Sequence, residues 1–124
     1  MAEQQPTARF TRPGDGETTS AKARFVARSS LGERLVARRS EVLALAARRH
    51  ASNVRVFGSV ARGSDRPGSD IDLLVDLSPE ARPLDIIGLE CDLEDELGVK
   101  VDVGTSDSLR PFLRDDVLAE AVLL

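Results

Sequence analysis

A chain of 124 residues with 41% hydrophobic and 31% charged residues has the size and balance expected of one globular domain, which argues against global disorder, and is too short to hold a catalytic domain plus a full substrate domain. Four Phe with no Trp or Tyr exclude an aromatic platform for single-stranded nucleic acid. The net charge of −4 conceals a split: residues 1–50 carry ten Lys/Arg against five Asp/Glu, and residues 51–124 carry seven against sixteen. The basic half suits nucleic acid or an acidic partner, and equally a solvated arm and helix face. Cys91 has no partner for a disulfide, and His50 is the sole histidine, so no Cys/His zinc site can be built. With no secretory h-region and no membrane-spanning run, the expected setting is cytoplasmic, without a membrane partner.

In chain order, residues 1–28 are rich in Pro, Gly, Thr, Ser and Gln without a sustained period and predict a flexible basic leader, in which SAKARFVARS could form a short helical turn. Residues 29–124 then form the domain. Leu31, Leu35, Val42 and Ala46, flanked by Val36, Leu43 and Leu45, recur at helical spacing and predict one amphipathic helix ending near His50. Asn53 to Phe57 predicts a strand stopped by Gly58. Asp70 to Leu77 predicts a second strand, with Ile71, Leu73, Val75 and Leu77 on one face and Asp70, Asp72, Leu74 and Asp76 on the other. From Leu84 to Leu97, Leu84, Ile87 and Cys91 share one helical line, widened by Ile86, Leu89, Leu93 and Leu97, and Gly98 supplies a stop. Val99 to Val103 alternates as a third strand, and Ser108 is placed to cap a last helix running through Pro111 to about Val122. The succession predicts an α/β (α+β) domain, a small sheet covered by helices.

The chemistry concentrates in FGSVARGSDRPGSDIDLLVD. With twelve aspartates, about one Asp-x-Asp triplet arises by chance, so placement carries the argument. Asp70 and Asp72 lie two apart on a strand, hence on one face with backbones roughly 6 to 7 Å apart. Asp102 sits on the non-valine face of another strand. Singly, Asp70 reads as well as a turn residue and Asp102 as an exposed strand position. If the strands are neighbours, however, the three carboxylates repel, and they raise their own pKa values or splay unless a cation joins them. Oxygen-only donors point to Mg²⁺ or Mn²⁺, and Mg²⁺ on two carboxylates commonly completes its shell with phosphates, which implies a nucleoside triphosphate.

Gly58-Ser59 directly after a strand suits a tight turn into a short helix whose backbone N–H groups and Ser59 hydroxyl face an anion, and Arg62 could add charge to a phosphate. Gly63-Ser64 and Gly68-Ser69 read as turns bracketing a surface loop, with Ser69 a further candidate nucleotide contact. No P-loop, Gly-x-Gly-x-x-Gly or EF-hand is present.

Gly58-Ser59, ten residues, Asp70-x-Asp72 and a later strand carrying Asp102 resemble the signature of the polymerase-β-like nucleotidyltransferase superfamily. The extent from about Leu31 to Leu124 resembles its minimal nucleotidyltransferases, the MNT or MntA-type antitoxins. The resemblance implies a small mixed sheet flanked by helices. It further implies that Gly58 and Ser59 hold the β- and γ-phosphates of ATP, the co-substrate, with Arg62 and Ser69 in support. Asp70 and Asp72 would ligate Mg²⁺ (or Mn²⁺), while Asp102 would complete the metal site and favour deprotonation of the attacking hydroxyl. Such proteins resemble partners of HEPN-type ribonuclease toxins, which they silence by moving AMP from ATP to a tyrosine hydroxyl. A binding-only antitoxin and a small-molecule, antibiotic-modifying nucleotidyltransferase are the alternative readings.

Overall fold

The computed structural model describes residues 24–124; the first 23 residues, most of the expected leader, lie outside it. Five helices and four strands follow in the order α1 (Ser30–Ala37), α2 (Arg39–Arg48), β1 (Ala51–Phe57), α3 (Gly58–Arg62), β2 (Ile71–Leu77), α4 (Pro83–Leu97), β3 (Val101–Gly104), α5 (Pro111–Glu120) and β4 (Val122–Leu123). The sheet order is β3-β2-β1-β4, mixed as expected: β1 pairs antiparallel with β2 and β4, and β2 pairs parallel with β3. A parallel pair needs a crossover, and α4 supplies it.

Alternation places Ile71, Leu73, Val75, Val101 and Val103 on the face that the helices cover, where they are buried with Leu35, Val42, Ala46, Leu89, Leu93 and Leu97. The opposite face keeps Asp72 and Asp102. Leu74, on that same face, is nevertheless fully buried.

Several elements depart from the sequence expectation. The single helix predicted to His50 is two helices, broken at Arg38, where φ −110 and ψ 19 leave the helical region. At that bend Arg38 reaches Glu96 at 2.7 Å and the Arg39 Nε donates to the Leu124 carbonyl at 2.8 Å, so one corner holds both α4 and the chain's last residue. Strand β1 starts earlier than predicted and carries a bulge between Ser52 and Arg55, with Asn53 in the left-handed region that Asn tolerates.

In α4 the expected central line of Leu84, Ile87 and Cys91 faces outward, with Leu84 74% exposed, and the flanking Leu89, Leu93 and Leu97 make the core contact. The guanidinium of Arg49, the residue that caps α2, lies over Gly88, where a Cβ would meet it, and its Nε donates to Asp92 at 3.1 Å. Gly98 caps the helix in the left-handed conformation as predicted.

Ser108 does not cap the last helix. It belongs to a 3₁₀ turn, Ser106–Ser108, exchanging hydrogen bonds with Thr105, while Arg110 precedes Pro111 at the first helical position. The helix ends at Glu120, and Val122 belongs to β4, a strand not predicted. Beside β4, the Phe25 N–H donates to the Leu123 carbonyl at 2.7 Å and the Phe25 ring is buried. Residues 24–28, read above as the end of the leader, carry no helical turn, and Phe25 among them lies against the domain.

Candidate active site

Strand β1 delivers the chain into α3 through Gly58, whose φ of +74 favours glycine. Space makes the same demand, since a Cβ on Gly58 would overlap the Asp72 carboxylate. The expected turn into a short helix is thus present and leans directly on the first of the paired acids. Gly63, at φ +75, ends α3. Ser59 lies half-buried in its first turn, and Arg62 ends it with an exposed side chain.

The parallel register between β2 and β3 pairs Asp72 with Asp102, and Asp70 stands two residues before Asp72. Asp72 and Asp102 therefore lie side by side on one sheet face, and Asp70, just before β2 begins, is near enough for its charge to act on Asp72 as well. The Asp72 carboxyl is pushed up to about 6, first by burial, then by the charges of Asp102 and Asp70, with Arg62 opposing and Glu120 adding to the rise. Asp102 is half-exposed, with Lys100 3.8 Å from its Oδ1.

Oxygen donors on adjacent strands, strained by mutual repulsion, fit a hard divalent cation such as Mg²⁺ or Mn²⁺. Among the described residues no three His, Cys, Asp or Glu side chains form a ready-made metal cage. Mg²⁺ does not require one, because two carboxylates plus substrate phosphates commonly suffice.

Two expected residues have partners inside the protein. Ser69 Oγ accepts the Arg66 N–H at 2.8 Å and its own N–H returns to the Arg66 carbonyl at 2.9 Å, which closes the turn that starts β2 at the right place. Arg62 Nη1 donates to Glu120 Oε2 at 2.5 Å, and the other oxygen of that carboxylate accepts the Gly58 N–H at 2.9 Å. Glu120 was not anticipated. It stands 62 residues from Gly58, and the one local sign is an acid in the last turn of a helix, where the macrodipole disfavours negative charge. A cleft of about 540 Å³, lined in part by Leu31, Asp65, Ser69, Asp70 and Lys100, opens beside Asp70, a volume in the range of small-molecule sites. No helix among the described residues is long and apolar enough to cross a membrane.

The model of the nucleotidyltransferase domain family matches residues 40–124, which contain every acid and glycine of this site. The chain is 41% identical over 69 residues to the protein adenylyltransferase MntA of Thermococcus cleftensis, spanning 56% of this chain and 70% of that one. A solved structure described as a "putative minimal nucleotidyltransferase" is 51% identical, with a TM-score of 0.68 over 74% of this chain and 94% of that one. A chain from a crystal structure of a toxin-antitoxin with AMP-PNP shares the fold at 21% identity, with a TM-score of 0.59 over 68% and 69% of the two chains. With its glycine turn leaning on Asp72, its register-paired acids and this match over more than half its length, the chain belongs to the nucleotidyltransferase domain family, and its chemistry is nucleotidyl transfer.

Proposed function

We propose that the protein is a Mg²⁺-dependent adenylyltransferase of the cytoplasm that moves AMP from ATP to a tyrosine hydroxyl of a HEPN-type ribonuclease toxin and so acts as its antitoxin. The observation that carries the reading is the pairing of Asp72 with Asp102 beside the Gly58 turn. The relative named as a protein adenylyltransferase supports a protein acceptor, and the fold shared with a toxin-antitoxin chain crystallised with AMP-PNP agrees with a toxin partner and an adenine nucleotide.

In this reading Asp70, Asp72 and Asp102 hold the cation, which when bound neutralises charge that grows on the attacking and leaving oxygens. The Gly58 N–H and the Ser59 hydroxyl donate to the β- and γ-phosphates, and Arg62 adds its charge to them. The acceptor oxygen attacks the α-phosphorus in line, the bond from that phosphorus to the bridging oxygen breaks, and pyrophosphate departs with the electron pair. Asp102, the most exposed of the three acids in its surroundings of Lys100 and solvent, takes the hydroxyl proton. Gly58 and Arg62 then stabilise the pyrophosphate they already grip.

The test is transfer of label from α-labelled ATP to the partner protein with Mg²⁺ present. Transfer lost in the Asp70→Asn, Asp72→Asn double variant supports the reading; no transfer by the native chain, or undiminished transfer by the variant, overturns it.

A further inference from the structure

The two groups best placed to grip a phosphate are already gripping a carboxylate. Glu120 presents one oxygen to the Gly58 N–H at 2.9 Å and the other to Arg62 Nη1 at 2.5 Å, the bidentate arrangement in which a phosphate oxyanion pair would sit. We propose that Glu120 is an internal stand-in for the nucleotide's phosphates, a residue that sets nucleotide affinity by having to leave before a polyphosphate can bind. This inference rests on the reading of Gly58 and Arg62 as the phosphate grip.

Three further observations favour displacement over a fixed structural tie. Helix α5 buries none of its residues, so its last turn carries no share of the core. Phe112 at 70% exposure and Leu113 at 43% show how lightly the helix is packed. The tie itself is solvent-accessible, with Arg62 55% and Glu120 27% exposed at the side chain, so water can replace each partner as the other is withdrawn. By contrast the backbone just beyond is fixed: Leu124 is buried and its N–H donates to the Val54 carbonyl at 2.9 Å. The carboxylate therefore leaves by rotation of its own side chain, with at most a loosening of the turn that bears it.

Charge supplies the reason for a competitor. Glu120 takes up the positive charge of Arg62 beside Asp72, on which Asp70, Asp102 and Glu120 all act as like charges, so with Glu120 in place a free inorganic phosphate meets an acidic neighbourhood. A nucleotide that brings its own divalent cation supplies the missing positive charge and displaces Glu120 in the same event. Glu120 thereby discriminates against metal-free polyphosphate.

The experiment is calorimetric titration of the native chain and of Glu120→Gln and Glu120→Ala with two probes, Mg²⁺-ATP and metal-free inorganic tripolyphosphate. Removing one partly screened charge beside the polyphosphate is expected to tighten both by about tenfold, with the larger gain for metal-free tripolyphosphate. Native binding of Mg²⁺-ATP that the variants leave unchanged or weaken overturns the inference while leaving the nucleotidyltransferase site standing. Absence of binding by the native chain removes the site reading and the inference together. A measurement on the native protein guards against a misfolded variant. In amide NMR, Mg²⁺-ATP should shift Gly58 together with Glu120 and Ala121, and a shift at Gly58 with the end of α5 stationary counts against displacement.

Discussion

The two faces of the central sheet are built on opposite terms. The face beneath α2 and α4 is apolar and closed, with Ile71, Leu73, Val75, Val101 and Val103 packed against Leu89, Leu93 and Leu97. The other face, made by the alternate residues of the same strands, sets Asp72 against Asp102, and burial together with the charges of Asp102 and Asp70 raises the Asp72 pKa. One face holds the fold together and the other strains it, which teaches that the site is kept in place by burial it does not itself contribute.

The largest way to break that division is at the acids. Asp72→Asn is expected to reduce adenylyl transfer by about a thousandfold or more, measured by label incorporation, because the carboxylate proposed to hold the cation is gone. The same change should raise the stability of the ligand-free protein at pH 7 by on the order of 1 kcal/mol in urea unfolding, since it removes a half-buried repelled charge. On the apolar face Leu93→Ala should do the reverse. A loss of about 2 to 5 kcal/mol is expected in the same unfolding measurement, with transfer per folded molecule retained.

Gly58→Ala bridges the faces. It forces an L-residue into the left-handed region and pushes a methyl onto Asp72, so a loss of about 1 to 2 kcal/mol from backbone strain should accompany weakened Mg²⁺-ATP binding. The smallest effect is the pH response. The folded Asp72 carboxyl, near 6, holds its proton where the unfolded one, near 3.8, has lost it, so its contribution to stability is full below about pH 4 and disappears as pH rises through about 6. Discounted for solvent screening, that is on the order of 1 to 2 kcal/mol, read as the native chain minus Asp72→Asn across pH 4 to 7. Cation-dependent nucleotide binding should run the opposite way and weaken below about pH 6.

The acid face was legible because its information is local. A period of two fixes which side of a strand Asp70, Asp72 and Asp102 occupy, and Gly58-Ser59 follows its strand directly. What escaped depends on contacts far along the chain. The apolar residues of α4 cover more than one helical face, and only the folded domain shows that Leu89 and Leu93 meet the core while Ile87 faces outward and Gly88 lies under Arg49. Strand β4 is two residues long and exists because β1 and Phe25 offer it partners. The bend at Arg38 serves Glu96 and Leu124, and Glu120 acquires its meaning only when α5 is folded back onto α3.

The crossover through α4 also acts as a ruler. Asp72 faces Asp102 because fifteen helical residues, the left-handed Gly98 and the short turn after it return the chain in one register, with Ile71 N–H meeting the Lys100 carbonyl at 3.0 Å. A strand slipped by one residue turns every side chain to the other face, so a single insertion between Gly98 and Val101 would set a valine opposite Asp72 and bury Asp102 beneath the helices. The length of a helix packed on the apolar side of the sheet thus determines whether the two acids meet at all.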